Sequence, residues 1–293
     1  MAVERDLRVD GAPVATYVVD PDLDVRLAPR PYLHPVRTLG GVTVTDALCF
    51  DHPWHLGASI AVADVAGVNL WGGRTYVRGA GYQWCGDHGR ITHHAWRPSA
   101  DGLDQELHWC DAAGRVLLTE RRGITAEAAP PYGWRLRLRC ELAAADDVPV
   151  VLGSPATHGR SGGAGYGGFL WRAGPGAADT FTARHRGAGE VNGSAAPWVA
   201  LTVADAYTLV LDGLAGADRW FVRTAEYAGV CAAWAFRHTL TVGPGAPLRR
   251  EVRVLVADGT LTRDEVARAQ VSAAPGPSSV PGQPPSGAAP PQP

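Results

Sequence analysis

From residue 134 to 142 the chain alternates without a break. Trp134, Leu136, Leu138, Cys140 and Leu142 are apolar; Arg135, Arg137, Arg139 and Glu141 between them are charged. A strand sends successive side chains to opposite faces, so this period of two puts one face on a core and the other in water. Wound as a helix, the same residues would scatter their charges around the whole circumference. The pattern predicts an antiparallel strand covered on one side. Residues 252–256 and 240–242 read similarly, and 15–19, 42–45, 116–119, 148–152, 198–203 and 208–211 are further candidates. Turn signals separate them, among them Asp101-Gly102, Ala113-Gly114 and Gly243-Pro244-Gly245. Many short strands at this spacing predict an all-β protein, one large antiparallel β-sandwich.

One helix has a clear start. Thr262 followed by Glu265 fits a capping box that opens residues 263–271. From Ser272 onward the chain is almost wholly Pro, Gly, Ser and Ala, which buries too little apolar surface to offset ordering. The reading is one domain over 1–271 and a disordered tail over 272–293. No internal repeat is visible.

Composition narrows the chemistry. All 27 Lys and Arg residues are arginine, so a lysine Schiff base, a lysine general base and a P-loop lysine are excluded. A net charge of −2 offers no attraction to nucleic acid or an anionic membrane. The 5 cysteines form no CxxC pair, which favours reduced thiols over a zinc ribbon or disulfide framework. No signal peptide is visible at the start, and no apolar run reaches the ~18 residues of a membrane helix. These features predict a cytoplasmic protein.

Chemistry concentrates in one stretch. His34, His52, His55, His88, His93 and His94 are six of the 10 histidines. Imidazole titrates near neutrality and is the commonest metal ligand. In Asp51-His52-Pro53-Trp54-His55 the proline argues against a helix interior, so both rings belong on a loop or strand end. They would act as general acid and base, as donors to a polyol, or as ligands of a divalent metal held by His34, His52 and His55, with His88 an alternative third ligand and Asp51 a further ligand or a support behind one. No HExxH or other fixed ligand spacing supports the metal reading, so no cofactor is expected. Tryptophans crowd the same third of the chain, at Trp54, Trp71, Trp84, Trp96 and Trp109. Indole faces suit the apolar C–H faces of sugars.

Further along, 157–169 is glycine-rich and carries His158, Arg160 and Tyr166. It lacks Gly-Lys-Ser/Thr and a complete GxGxxG, so a loop over a pocket is expected rather than a phosphate cradle. Arg160 and Arg172 are candidate clamps for a carboxylate or polyol. Glu120, beside Arg121 and Arg122, is a candidate base, with an exposed ion pair as the plain alternative. Trp220 and Arg223, with Tyr227 nearby, form a candidate pocket wall. No Gly-x-Ser-x-Gly elbow is present.

Several of these segments resemble a large uncharacterised bacterial family whose members are often labelled "methane oxygenase PmoA". They are 31–38 around His34, 51–57 around His52 and His55, and 64–73 ending Asn69-Leu70-Trp71-Gly72-Gly73. Residues 165–172 and Trp220-Phe221-Val222-Arg223 match as well. The likeness covers roughly residues 10–260. Trp54 and Leu56 stand where many members have histidine and arginine. The label implies a copper membrane monooxygenase subunit, which this chain, with no membrane helix, does not follow. Members often lie beside sugar transporters and sugar dehydrogenases, which implies carbohydrate metabolism. A fainter likeness, Asp87-His88-Gly89-Arg90-Ile91 followed by Trp96, is to aldose 1-epimerase-like proteins. It implies a galactose-mutarotase-type sandwich, with His88 or His158 as acid and Glu120 or Glu226 as base. The expected ligand is a small carbohydrate, and the expected chemistry is acid–base: epimerisation, elimination or hydrolysis. Non-catalytic sugar binding and a metal-dependent oxygenase or hydrolase are the alternatives.

Overall fold

The computed structural model of the chain describes residues 3–272, so the expected tail lies outside it apart from Ser272, the last residue of the helix Arg263–Ser272. Two large antiparallel sheets carry the fold. The first has seven strands, in spatial order Glu4–Val9, Ala12–Val18, Tyr32–Val36, Ala58–Ala61, Gly168–Arg172, Gly229–Ala233 and Arg219–Arg223. The second has eight: Ala178–Phe181, Trp198–Val203, Tyr207–Asp212, Leu248–Asp258, Gly133–Ala144, Val116–Ala129, Leu103–Cys110 and Arg90–Trp96. Their inner faces share one buried core, in which Tyr17, Ile60, Trp171 and Trp220 of one sheet meet Trp109, Trp134, Leu136 and Val254 of the other. This is a sandwich, as the alternation predicts.

The 134–142 stretch behaves as read. Leu136, Leu138, Cys140 and Leu142 lie in the core while Arg139 faces water. Arg135 departs from the pattern because the C-terminal helix lies over it, and its Nη2 donates to the Ala269 carbonyl at 3.4 Å. That helix sets Val266 and Ala269 on Ala200, Val210 and Leu255 of the outer face. Its capping box forms as expected. The Thr262 amide donates to Glu265 Oε2 at 2.8 Å, and the Glu265 amide to Thr262 Oγ1 at 3.3 Å.

Two differences have physical causes. Residues 42–45 form no strand; Thr43 makes only an isolated bridge to Arg37. Thr45 instead uses its hydroxyl, accepting from the Val36 amide and bonding the His34 ring. Conversely, Gly168–Arg172 and Gly229–Ala233 are covered on both faces, so they carry no alternation to read. Among the described residues no helix is long and apolar enough to cross a membrane.

Candidate functional site

Strand parity builds the site. In Arg219–Arg223, Trp220 and Val222 point into the sandwich core, so Phe221 points out. In Gly168–Arg172, Phe169 and Trp171 point in and Leu170 out. The outward set forms a second apolar cluster with Trp71, Cys231 and Phe236, against which Trp54 and Tyr166 pack. A cavity of about 520 Å³ opens above it, with Trp71, Tyr166 and Phe221 in its lining.

The histidine loop forms one wall. Between Tyr32–Val36 and Ala58–Ala61 the chain turns at Pro53-Trp54, and the His55 amide donates to the His52 carbonyl at 2.9 Å. Proline suits the second position of such a turn, and the turn brings its first and fourth residues side by side. The two imidazoles therefore stack, centroids 4.8 Å apart, and the Tyr227 ring lies 5.0 Å from His52 and 4.8 Å from His55. His52 Nδ1 sits 2.9 Å from Asp51 Oδ2. Burial would raise the Asp51 carboxyl, but the His52 hydrogen bond and the Arg172 charge outweigh it and hold it below its ordinary value. An ionised carboxylate only accepts, so His52 carries its proton on Nδ1 and leaves Nε2 as the acceptor. His55 is held well below 6.5 by burial, then by His52 and Arg172, so it stays neutral. Its Nδ1 is buried without a partner.

Trp54 lies against a Gly-Gly turn. A Cβ at Gly73 would come within 2.6 Å of the Trp54 ring, and Gly73 has φ +71°, so only glycine allows this approach. Asn69 shapes the turn, its Oδ1 accepting from the Trp71 amide at 3.0 Å and the Gly72 amide at 2.8 Å. Arg30, wholly buried, donates to the carbonyls of Trp54 at 2.9 Å and Trp71 at 3.2 Å. Burial, with Arg122 adding to it, brings its guanidinium down to about 9. A hairpin, Thr75–Val77 and Gly81–Gln83, overhangs the cavity, tied by a 2.9 Å bond between the Tyr82 and Tyr166 hydroxyls.

A smaller lobe of about 250 Å³ shares Trp71, Gly72, Arg74 and Tyr166 with the main cavity. In it His158 Nε2 meets Asp64 Oδ2 at 2.7 Å. The two lobes thus hold three imidazoles, of which His52 and His158 each sit beside a carboxylate.

The structure brings together His52, His55, Trp54, Arg160, Tyr166 and Arg223 around the cavity, with Glu226 at its lining and His158 in the adjoining lobe. Arg172 stands behind the wall. Its Nη2 bonds both Asp51 oxygens at 3.1 Å, and its guanidinium lies 4.7 Å from the Tyr227 centroid. Four expected residues lie elsewhere. Glu120 is inside the sandwich, paired with Arg122 at 2.6 Å and accepting from Trp109 Nε1 at 2.8 Å. Its parity on Val116–Ala129 faces the core, so the ion pair is buried rather than exposed. Trp220 is a core residue whose Nε1 donates to the Ala196 carbonyl. His88 is buried, and its Nε2 donates to the Gly73 carbonyl at 2.6 Å, bracing the turn under Trp54. His34 bonds Thr45 and lines neither lobe.

His34, His52 and His55 therefore do not form a ligand set, and among the described residues no group of three or more His, Cys, Asp or Glu side chains is placed to hold a metal ion. Arg30, Arg74 and Tyr82 were invisible to the motif reading. The one signal was Arg74 directly after the Gly72-Gly73 turn.

No curated protein matches this chain. The model described as "Family of unknown function (DUF6807)" matches residues 4–270, and the chain belongs to that family.

Proposed function

We propose that this chain is an enzyme that moves protons on a small carbohydrate bound in the 520 Å³ cavity. The observation that carries the proposal is that His52, on the wall of an aromatic-lined cavity, has Asp51 2.9 Å behind it. A carboxylate on Nδ1 fixes the tautomer and orientation that a general base needs at Nε2. Neutral His55 stacked beside it adds no second charge to oppose the imidazolium that forms when His52 takes a proton. The Tyr227 phenol, pushed up by burial, keeps its proton and is the acid on the same wall. Trp54 and Trp84 are accessible in the lining and offer faces for the C–H side of a sugar ring. The reaction class is epimerisation, elimination or hydrolysis, and the proposal calls on no cofactor. Five unpaired cysteines suit a reducing compartment, so we place the activity in the cytoplasm.

The test is solvent exchange. In D₂O, nuclear magnetic resonance should show deuterium entering a C–H position of a bound sugar, or a new sugar product. His52→Gln should slow this at least about 100-fold, the usual worth of a positioned acid–base group. Binding without exchange or product would favour the second reading, a non-catalytic sugar-binding protein, which Trp54 and Trp84 support equally well. Unchanged rates in His52→Gln would remove His52 from the chemistry.

A further inference from the structure

We propose that the ligand is a sugar bearing an oxyanion group, held in the larger lobe by Arg74, Arg160 and Arg223. The inference rests on the carbohydrate reading above and narrows its substrate. Three guanidiniums belong to this one cavity. Each lies over an aromatic ring: Arg74 at 5.8 Å from the Trp84 centroid, Arg160 at 4.9 Å from Tyr82 and Arg223 at 4.2 Å from Phe221. Among the described residues none of the three pairs with a carboxylate. Elsewhere the chain does pair such groups, as in Arg121–Asp104, Arg249–Glu141, Arg250–Asp218 and Arg172–Asp51. What sets these three apart is that they share one cavity and each rests on an aromatic ring there.

Stacking matters as much as charge. A guanidinium resting on a ring face is held in place while its N–H edge stays free to donate. That edge matches the two oxygens of a carboxylate or phosphate. Of the acceptors among the described residues, only the Val222 carbonyl takes a bond from the three, from Arg223 Nη1 at 2.8 Å. The sole carboxylate lining this lobe, Glu226, is exposed. The smaller lobe shares Arg74 and adds two carboxylates, Asp64 and Asp87, to its lining. Hydroxyls donate and oxyanions accept. The arrangement orients the ligand with its oxyanion toward the arginines and its hydroxyls toward Asp87.

The experiment is isothermal titration of the full chain at low salt, with glucose, glucuronate and glucose 6-phosphate as probes and acetate and inorganic phosphate as controls. An anionic sugar should bind at least about 10-fold tighter than glucose, the lower end for charged hydrogen bonds. The better of the carboxylate and phosphate arms identifies the oxyanion. Arg160→Gln and Arg223→Gln should each remove about 10-fold of anionic-sugar affinity and lower glucose affinity much less. Glucose binding as tightly as both anions would overturn the inference and leave the carbohydrate reading standing. So would free acetate or phosphate matching the sugar anions, or anionic-sugar affinity that ignores both substitutions. If no sugar of either charge binds, the carbohydrate reading falls with it.

Discussion

Asp51 holds two neighbours of different kinds, an imidazole at 2.9 Å and a guanidinium at 3.1 Å. Arg172 is largely buried, and its Nε and Nη1 lack partners, so Asp51 supplies its only ion pair among the described residues. Asp51→Asn should therefore act twice. Loss of a charge-assisted bond should cost about 1.5–3 kcal/mol in urea denaturation. Proton exchange on the bound sugar should fall while sugar affinity holds, because His52 loses the carboxylate that sets its tautomer. Wild-type exchange in the Asp51→Asn variant would show that His52 does not need this partner. That His52 and His55 sit together on a loop or strand end was legible, because they are chain neighbours and Pro53 bars a helix interior; the Asp51–His52 bond was not, because it depends on how the side chains are turned. Glu120 shows the limit of such reading. Its arginine neighbours were visible, but whether the pair met water or core depended on which sheet face it occupied.

Within a strand, one position decides between core and cavity. Trp220 and Phe221 are adjacent, yet the first is a core anchor and the second a cavity floor residue. Trp220→Ala should cost about 3–5 kcal/mol in stability, as for other large core truncations. Phe221→Ala should instead weaken ligand binding, since it removes the ring beneath Arg223. Calorimetric melting and titration of both variants check this; equal loss of stability with no separate binding defect would refute the assignment. The alternating strand 134–142 and the helix opened by Thr262 were readable because their signals are local: a period of two, and a cap three residues from its partner. Gly168–Arg172 and Gly229–Ala233 were not, because strands buried on both faces carry no contrast between odd and even positions.

Across the whole molecule, burial of histidines couples stability to pH. His55, His34 and His108 all lie below the ordinary 6.5, burial being the first cause in each. The folded state thus binds fewer protons than the unfolded chain wherever the pH is below 6.5 and above the folded values. As far as these histidines decide it, stability should be flat just above that point and fall as the pH drops, with a slope approaching about 1.4 kcal/mol per pH unit for each group fully in its window. Asp51, held low, adds its own loss only further down, in the carboxylate range. Urea midpoints at about pH 7.5 and about pH 5.5, on either side of the ordinary histidine value, test this. His55→Gln should narrow the gap between them; a wild-type midpoint that rises on acidification would contradict the sign. The sequence alone determined the all-β class, the capped helix and the place of the Asp51–His55 turn, because each depends on residues within a few positions of one another. Only the tertiary structure decided that Trp220, Glu120 and His88 are structural, and that Arg74, Arg160 and Arg223 surround one cavity. Those outcomes rest on strand register and sheet order, and a shift of one residue would send each strand's side chains to the opposite face.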